Sequence, residues 1–243
     1  MQRTIIILSA LLLSVMMPLV AAEPVSFTTA DGIIIKGLYH ASRQPRKPVV
    51  IMLHGMGSTK EEWTPFERTL VDAGFSYFAY DARGHGESTT TTTGAKINYK
   101  NFGAPGPGSP WQAMIDDLDY AAVYLSHTKH IPESSLIIVG ASIGANIALV
   151  WAAQHPSVNT VLLLSPGLDY AGIETSTPVA QFQSRRIAFV ASPNDPYAYQ
   201  SSRQLFNRLS SNPSAVFFTG AGGHGVQMFN GTFEKDLVRW LSK

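Results

Sequence analysis

The chain has 243 residues, of which 45% are apolar and 14% charged, with a formal net charge of +1 and no cysteine. It is too apolar and too neutral to be a disordered chain, and it lacks the basic excess that neutralising nucleic-acid phosphates requires. Without cysteine there is no disulfide framework, thiolate metal site or cysteine nucleophile.

Met1-Gln2-Arg3 is a short basic start, and Thr4 to Ala22 carries no charge. The apolar run through Ile5 to Leu13, Pro18 near its end and the small pair Ala21-Ala22 follow the order of a secretory signal. An uncleaved membrane anchor is the alternative, because the stretch approaches the ~20 residues of a span; Pro18 weighs against it. The expectation is a cleaved signal over 1–22 and one domain over 23–243, secreted or periplasmic, with no membrane attachment after cleavage. Only Arg3 is lost with the signal, so acidic and basic groups then balance and no anionic partner is favoured.

Val25 to Thr29 and Ile33 to Tyr39 predict two strands joined at Asp31-Gly32, a strong hairpin signal. Pro48 to Leu53 is a continuous apolar run, the pattern of a parallel strand buried on both faces. Residues 59–73 place Trp63, Phe66 and Leu70 at helical spacing and close with Gly74. Phe75 to Tyr80 is the next strand, and 81–110 is irregular and rich in Gly, Pro and Thr. Ser109-Pro110 predicts the start of a helix from Trp111 to about Leu125. Further strands are expected at Leu136 to Val139, Val161 to Leu164, Ile187 to Ala191 and Ala215 to Phe218. Helices are expected at 143–154, 197–210 and 232–241. This alternation predicts an α/β fold: a mostly parallel central sheet, helices on both faces, and an N-terminal antiparallel hairpin.

Between the strand ending at Val139 and the helix from 143 lies Gly140-Ala141-Ser142-Ile143-Gly144, the pattern G-x-S-x-G. On a tight strand-to-helix turn the serine backbone is strained, and side chains two residues away would strike the neighbouring strand or helix. Glycines there remove the clash and leave the hydroxyl exposed at the carboxyl edge of the sheet. Ser142 is therefore the candidate nucleophile, and it needs a base and an acid that orients the base. His224 lies in the small-residue loop Gly220 to Gly225 after the last strand and is the candidate base. Asp195, in Ser-Pro-Asn-Asp-Pro after the strand at 187–191, is preferred as the acid; Asp169 is the competitor. His155, before Pro156, is read as a helix-end cap, and His127 and His130 as solvated turn residues. The oxyanion of an acyl intermediate needs two backbone N–H donors. Ile143, after the nucleophile, and Met56, in the loop His54-Gly55-Met56-Gly57, are the expected pair, with His54 ordering that loop.

Together these residues resemble the α/β-hydrolase superfamily over essentially the whole of 23–243. Asp81 to Ser88 (Asp-Ala-Arg-Gly-His-Gly-Glu-Ser) is similar to a loop of its serine-aminopeptidase-like and monoacylglycerol-lipase-like branch. The resemblance implies a serine hydrolase that cleaves an ester, thioester or amide through an acyl-enzyme, with no cofactor and no metal. Many relatives insert a helical cap after the strand that follows the elbow, whereas Ser165 to Ser184 is too short for one. The irregular segment with Tyr99, Phe102 and Trp111 is expected to wall the pocket instead. A minimal cap favours small soluble esters as substrate. The alternatives are peptidase, thioesterase or lysophospholipase chemistry on the same residues, or a non-catalytic ligand-binding protein of the same fold.

Overall fold

The computed structural model describes residues 21–44 and 47–243. The expected signal, apart from Ala21-Ala22, lies outside the described residues.

Among the described residues eleven strands form, in chain order β1 (Glu23–Thr28), β2 (Ile33–His40), β3 (Val49–Leu53), β4 (Ser76–Tyr80), β5 (Thr90–Thr91), β6 (Leu136–Ala141), β7 (Thr160–Leu164), β8 (Asp169–Tyr170), β9 (Ile173–Glu174), β10 (Arg186–Ala191) and β11 (Ala215–Thr219). Five α-helices accompany them: α1 (Thr64–Asp72), α2 (Ala113–Lys129), α3 (Ile143–Gln154), α4 (Pro196–Asn207) and α5 (Phe233–Leu241). The main sheet runs β1-β2-β4-β3-β6-β7-β10-β11, with β5 paired on β2. β1, β2 and β5 are antiparallel to their neighbours, and from β4 to β11 every pairing is parallel. The expected α/β architecture is the observed one.

Alternating residues of a central strand feed opposite cores. Val49, Ile51 and Leu53 of β3 join a cluster with α2, α3 and α4, while Val50 and Met52 join one with α1 and α5. That two-sided burial is why the strands read as unbroken apolar runs. Helix α3 is buried nearly all round, so its sequence is apolar without a polar stripe. Among the described residues no helix is long and apolar enough to cross a membrane.

Register brings the strand ends level. Leu53 pairs with Gly140, Ala141 with Leu164, Leu164 with Val190, and Ala191 with Thr219. The loops after β3, β6, β7, β10 and β11 therefore leave one edge of the sheet, the carboxyl edge where α/β folds place their sites.

Some local expectations are corrected. Helix α2 starts at Ala113 and continues to Lys129, so His127 lies in its last turn and His130, at φ 57°, caps it. The Ser109 hydroxyl still accepts the Gln112 N–H at 3.4 Å, but the turn it closes precedes the helix. His155 does cap α3, through its backbone N–H, which donates to the Ala152 carbonyl at 3.2 Å, while its ring stacks on Trp151 at 3.9 Å and bonds Glu133 at 2.8 Å and Asp119 at 3.1 Å. The segment 165–184 holds a two-stranded hairpin, β8-β9, that the sequence pattern did not announce.

Candidate active site

Ser142 occupies the turn between β6 and α3 with φ 56° and ψ −123°. A non-glycine residue there is strained by ~1–3 kcal/mol, and the strain persists because the surroundings fix it. The Ser142 N–H bonds the Leu164 carbonyl at 2.8 Å, and its own carbonyl accepts from Ala145 and Asn146. A Cβ on Gly140 would stand 2.2 Å from the Gly144 carbonyl oxygen, and a Cβ on Gly144 would stand 2.4 Å from that of Leu53. Both obstacles are backbone, so both positions exclude a side chain for the reason the spacing implied.

His224 and Asp195 come from two further loops of the same edge. The His224 Nδ1 and Asp195 Oδ2 are 2.5 Å apart. Asp195 also caps α4, its Oδ1 accepting the Ala198 N–H at 3.5 Å, so the carboxylate is oriented by the helix it begins. The His224 N–H bonds the Gln227 side chain at 3.1 Å. The next residue, Gly225, with φ 56°, lies so close to the elbow that a Cβ on it would meet the Ala141 Cβ at 3.3 Å. Its N–H donates to the Ser165 hydroxyl at 2.8 Å. Ser165, itself at φ 52° after β7, thus pins the histidine loop beside Ser142. The competitor Asp169 is exposed and accepts the Gly172 N–H at 2.8 Å, so it serves the β8-β9 turn and does not meet His224.

The loop after β3 passes beside the elbow, with the Gly55 Cα carrying its missing Cβ direction to within 3.4 Å of the Ser142 Cβ. As the first residue of α3, Ile143 has an N–H with no carbonyl of its own helix to bond. Met56 sits at the exposed turn of the loop with 46% of its surface open. His54 is buried beneath it, bonded through Nδ1 to the Gly55 carbonyl at 2.7 Å, and its Nε2 accepts the Ala82 N–H at 2.9 Å. Burial pushes the His54 imidazole down to about 4, so this ring is neutral and the Ala82 bond fixes the proton on Nδ1.

The Asp81–Ser88 loop braces this arrangement. Asp81 takes the Lys60 ammonium at 2.9 Å, the Lys60 N–H at 2.8 Å and the Glu87 N–H at 2.8 Å. Arg83 grips both oxygens of Asp117 on α2, at 2.6 and 2.8 Å, and Asp31 at 2.7 Å. His85 stacks on Tyr99 at 4.1 Å, and the Tyr99 hydroxyl lies 2.9 Å from where a Gly57 Cβ would stand. The irregular segment therefore does reach the loop after β3, as a wall.

Two residues of the site escaped the sequence reading. The Glu62 carboxylate accepts the Gly55 N–H at 3.0 Å, and burial raises it above the usual carboxylate range, opposed by Ser58, by that Gly55 bond and by His224. Tyr170, the last residue of β8, sets its ring perpendicular to the His224 imidazole, 6.3 Å between centroids and 84° between planes. The signal for this hairpin was Ala171-Gly172 between Tyr170 and Ile173, a two-residue turn hidden in a segment judged only by its length.

Over residues 44–221 the chain matches the family described as serine aminopeptidase, S33, a span that includes Met56, Ser142, Ile143 and Asp195 and ends before His224. The chain belongs to that family. It is 26% identical over 168 residues to the uncharacterized protein YfhR of Salmonella typhimurium, covering 63% of this chain and 51% of that protein. It is 23% identical over 177 residues to protein phosphatase methylesterase 1 of Candida albicans, covering 72% and 44%. A third relative, 2,6-dihydropseudooxynicotine hydrolase of Paenarthrobacter nicotinovorans, is 30% identical over 130 residues, covering 53% and 31%. The matched region thus spans about half or less of these relatives' length. Among solved structures, the Pyrococcus furiosus esterase Pf2001 superposes with a TM-score of 0.73 at 17% identity, covering 91% of this chain and 90% of that one, which shows the fold.

Proposed function

We propose that this member of the serine aminopeptidase S33 family is an exported serine hydrolase that cleaves small carboxylic esters through Ser142, His224 and Asp195. The observation that carries the reading is the 2.5 Å Asp195–His224 pair brought beside a strained serine on the same sheet edge. A serine turned out at φ 56° on a buried scaffold, next to an imidazole held by a carboxylate, is a costly arrangement for a fold to keep without chemistry.

The cycle follows from the positions. As an ester enters the site, the Ser142 hydroxyl turns to the His224 Nε2. His224 takes the proton as the oxygen attacks the carbonyl carbon, and Asp195 holds the ring and stabilises its cation. The N–H groups of Met56 and Ile143 receive the oxyanion. His224 then protonates the departing alcohol, and water repeats the sequence on the acyl-enzyme. Export rests on the character of residues 1–22.

Ser142→Ala is expected to lower kcat on p-nitrophenyl acetate by about 10⁴-fold or more with the melting temperature unchanged, and to abolish labelling by a fluorophosphonate. Hydrolysis by that variant at a rate near the wild type would remove the assignment. Wild-type protein that turns over matched anilides or thioesters faster than esters would move the substrate class and leave the residues in place. N-terminal sequencing of chain recovered from an exporting host should begin at Glu23.

A further inference from the structure

The β8-β9 hairpin is small, but it is built to stay where it is. The Asn146 side chain, on buried α3, donates to the Ile173 carbonyl at 2.8 Å and accepts the Gly167 N–H at 3.0 Å. The Thr175 hydroxyl closes the loop on the Gly167 carbonyl at 2.7 Å. From the α4 side, the Tyr197 hydroxyl donates to the Asp169 carbonyl at 2.8 Å and accepts the Asp169 N–H at 3.1 Å. Across the top, Gly172 approaches Pro105 of the irregular segment, with 3.2 Å between the Pro105 Cβ and an added Gly172 Cβ.

Tyr170 is the side chain this framework presents to the site. Its ring leans on Tyr197, 5.5 Å between centroids, and covers Gly167, where a Cβ would stand 2.8 Å from the Tyr170 Cε2. The ring is thus backed by Gly167 and Tyr197, with no room to retreat toward that loop. Its plane stands perpendicular to the His224 imidazole, 6.3 Å between centroids. In an acyl transfer the departing oxygen must lie within reach of the imidazole that protonates it. A rigid ring set against that imidazole therefore bounds the alcohol half of the ester, not the acyl half.

Resting on the serine-hydrolase reading above, we propose that Tyr170 is a specificity-determining residue for the leaving group: its ring closes the space beside His224 to bulky alcohols. Burial, with Asp195 and Tyr197 beside it, raises the phenol above its ordinary range, so the hydroxyl stays neutral at every working pH.

The test separates the two halves of the ester. Ethyl, isopropyl, tert-butyl and benzyl acetates vary the alcohol at constant acyl group, and p-nitrophenyl acetate to octanoate vary the acyl group at constant alcohol. Tyr170→Ala is expected to raise kcat/KM for benzyl over ethyl acetate about tenfold or more, the discrimination a few buried carbons command, and to leave the acyl preference unmoved. Tyr170→Val should fall between, and serves if the alanine variant is poorly folded. Tyr170→Phe keeps the ring, so it should keep the wild-type alcohol ratio. An unchanged alcohol ratio in both the Ala and Val variants, a shift in acyl preference instead, or an altered alcohol ratio in Tyr170→Phe would overturn the proposal. Labelling of wild-type Ser142 separates the two failures: without it the serine-hydrolase reading fails, and with it only the role of Tyr170 does.

Discussion

At the level of single residues, the site is fixed by close approaches that leave no alternative side chain. Gly144 faces the backbone oxygens of Leu53 and His54, at 2.4 and 2.6 Å from an added Cβ, and neither can move without breaking the β3-β6 pairing. Gly144→Ala should therefore destabilise the protein by about 3 kcal/mol, the upper end of overpacking costs, and lower the proposed hydrolase activity by displacing Ser142. Urea unfolding midpoints measure the first effect; a midpoint equal to wild type would mean the elbow is looser than its geometry implies. This logic was legible in the sequence because steric exclusion leaves a composition trace, two glycines flanking a serine. Tyr170 left no such trace. A tyrosine is acceptable at many positions, and what makes this one special is its approach to His224, 54 residues away in the chain, that only the folded hairpin creates. Glu62 was hidden for the same reason, since its partner Gly55 lies a loop away.

At the level of elements, strands and helices with two-sided or one-sided burial were readable, and termini governed by local hydrogen bonding were less so. Helix α3 begins where expected because Ser142 must end the strand. Helix α2 was placed two residues early because Ser109-Pro110 makes a turn that looks like a cap. Asp195 shows how one residue can serve two elements. It is the N-cap of α4 and also the partner of His224, so a turn role and a pairing with the imidazole coexist in one side chain. The two roles separate by substitution. Asn caps helices as well as Asp, so Asp195→Asn should leave the melting temperature near wild type while kcat falls about 10⁴-fold, for want of the charge and tautomer control His224 needs. Asp195→Ala should lose the same activity and also about 1 kcal/mol of stability. Equal melting temperatures for the two variants, or an active asparagine variant, would separate Asp195 from one role or the other.

At the scale of the whole molecule, buried ionisable groups on different faces respond to pH in opposite senses. His54, held near 4 by burial in the loop after β3, takes up its proton more readily when unfolded. Its contribution is fully present above the unfolded value of ~6.5 and is lost as pH falls toward the folded value. Glu67, on α1 against Tyr77, is raised by burial to about 7, with Glu61 adding to the rise and the Tyr77 bond opposing it. A carboxyl whose folded value lies above its unfolded one favours the folded state when protonated. That contribution is present below the unfolded value near 4.5 and is lost as pH rises to about 7. Between these limits the two effects oppose each other, so the wild-type stability curve should be flatter on its acid side than His54 alone would make it. Glu67→Gln removes one of them. The variant should match wild type near pH 5 and exceed it at pH 8 by about 1 kcal/mol, the full linkage being discounted because the carboxyl is partly exposed. Urea melts of both proteins at the two pH values measure the difference. A gap that is the same at pH 5 and pH 8 would show that Glu67 does not change its charge in the folded protein across this window.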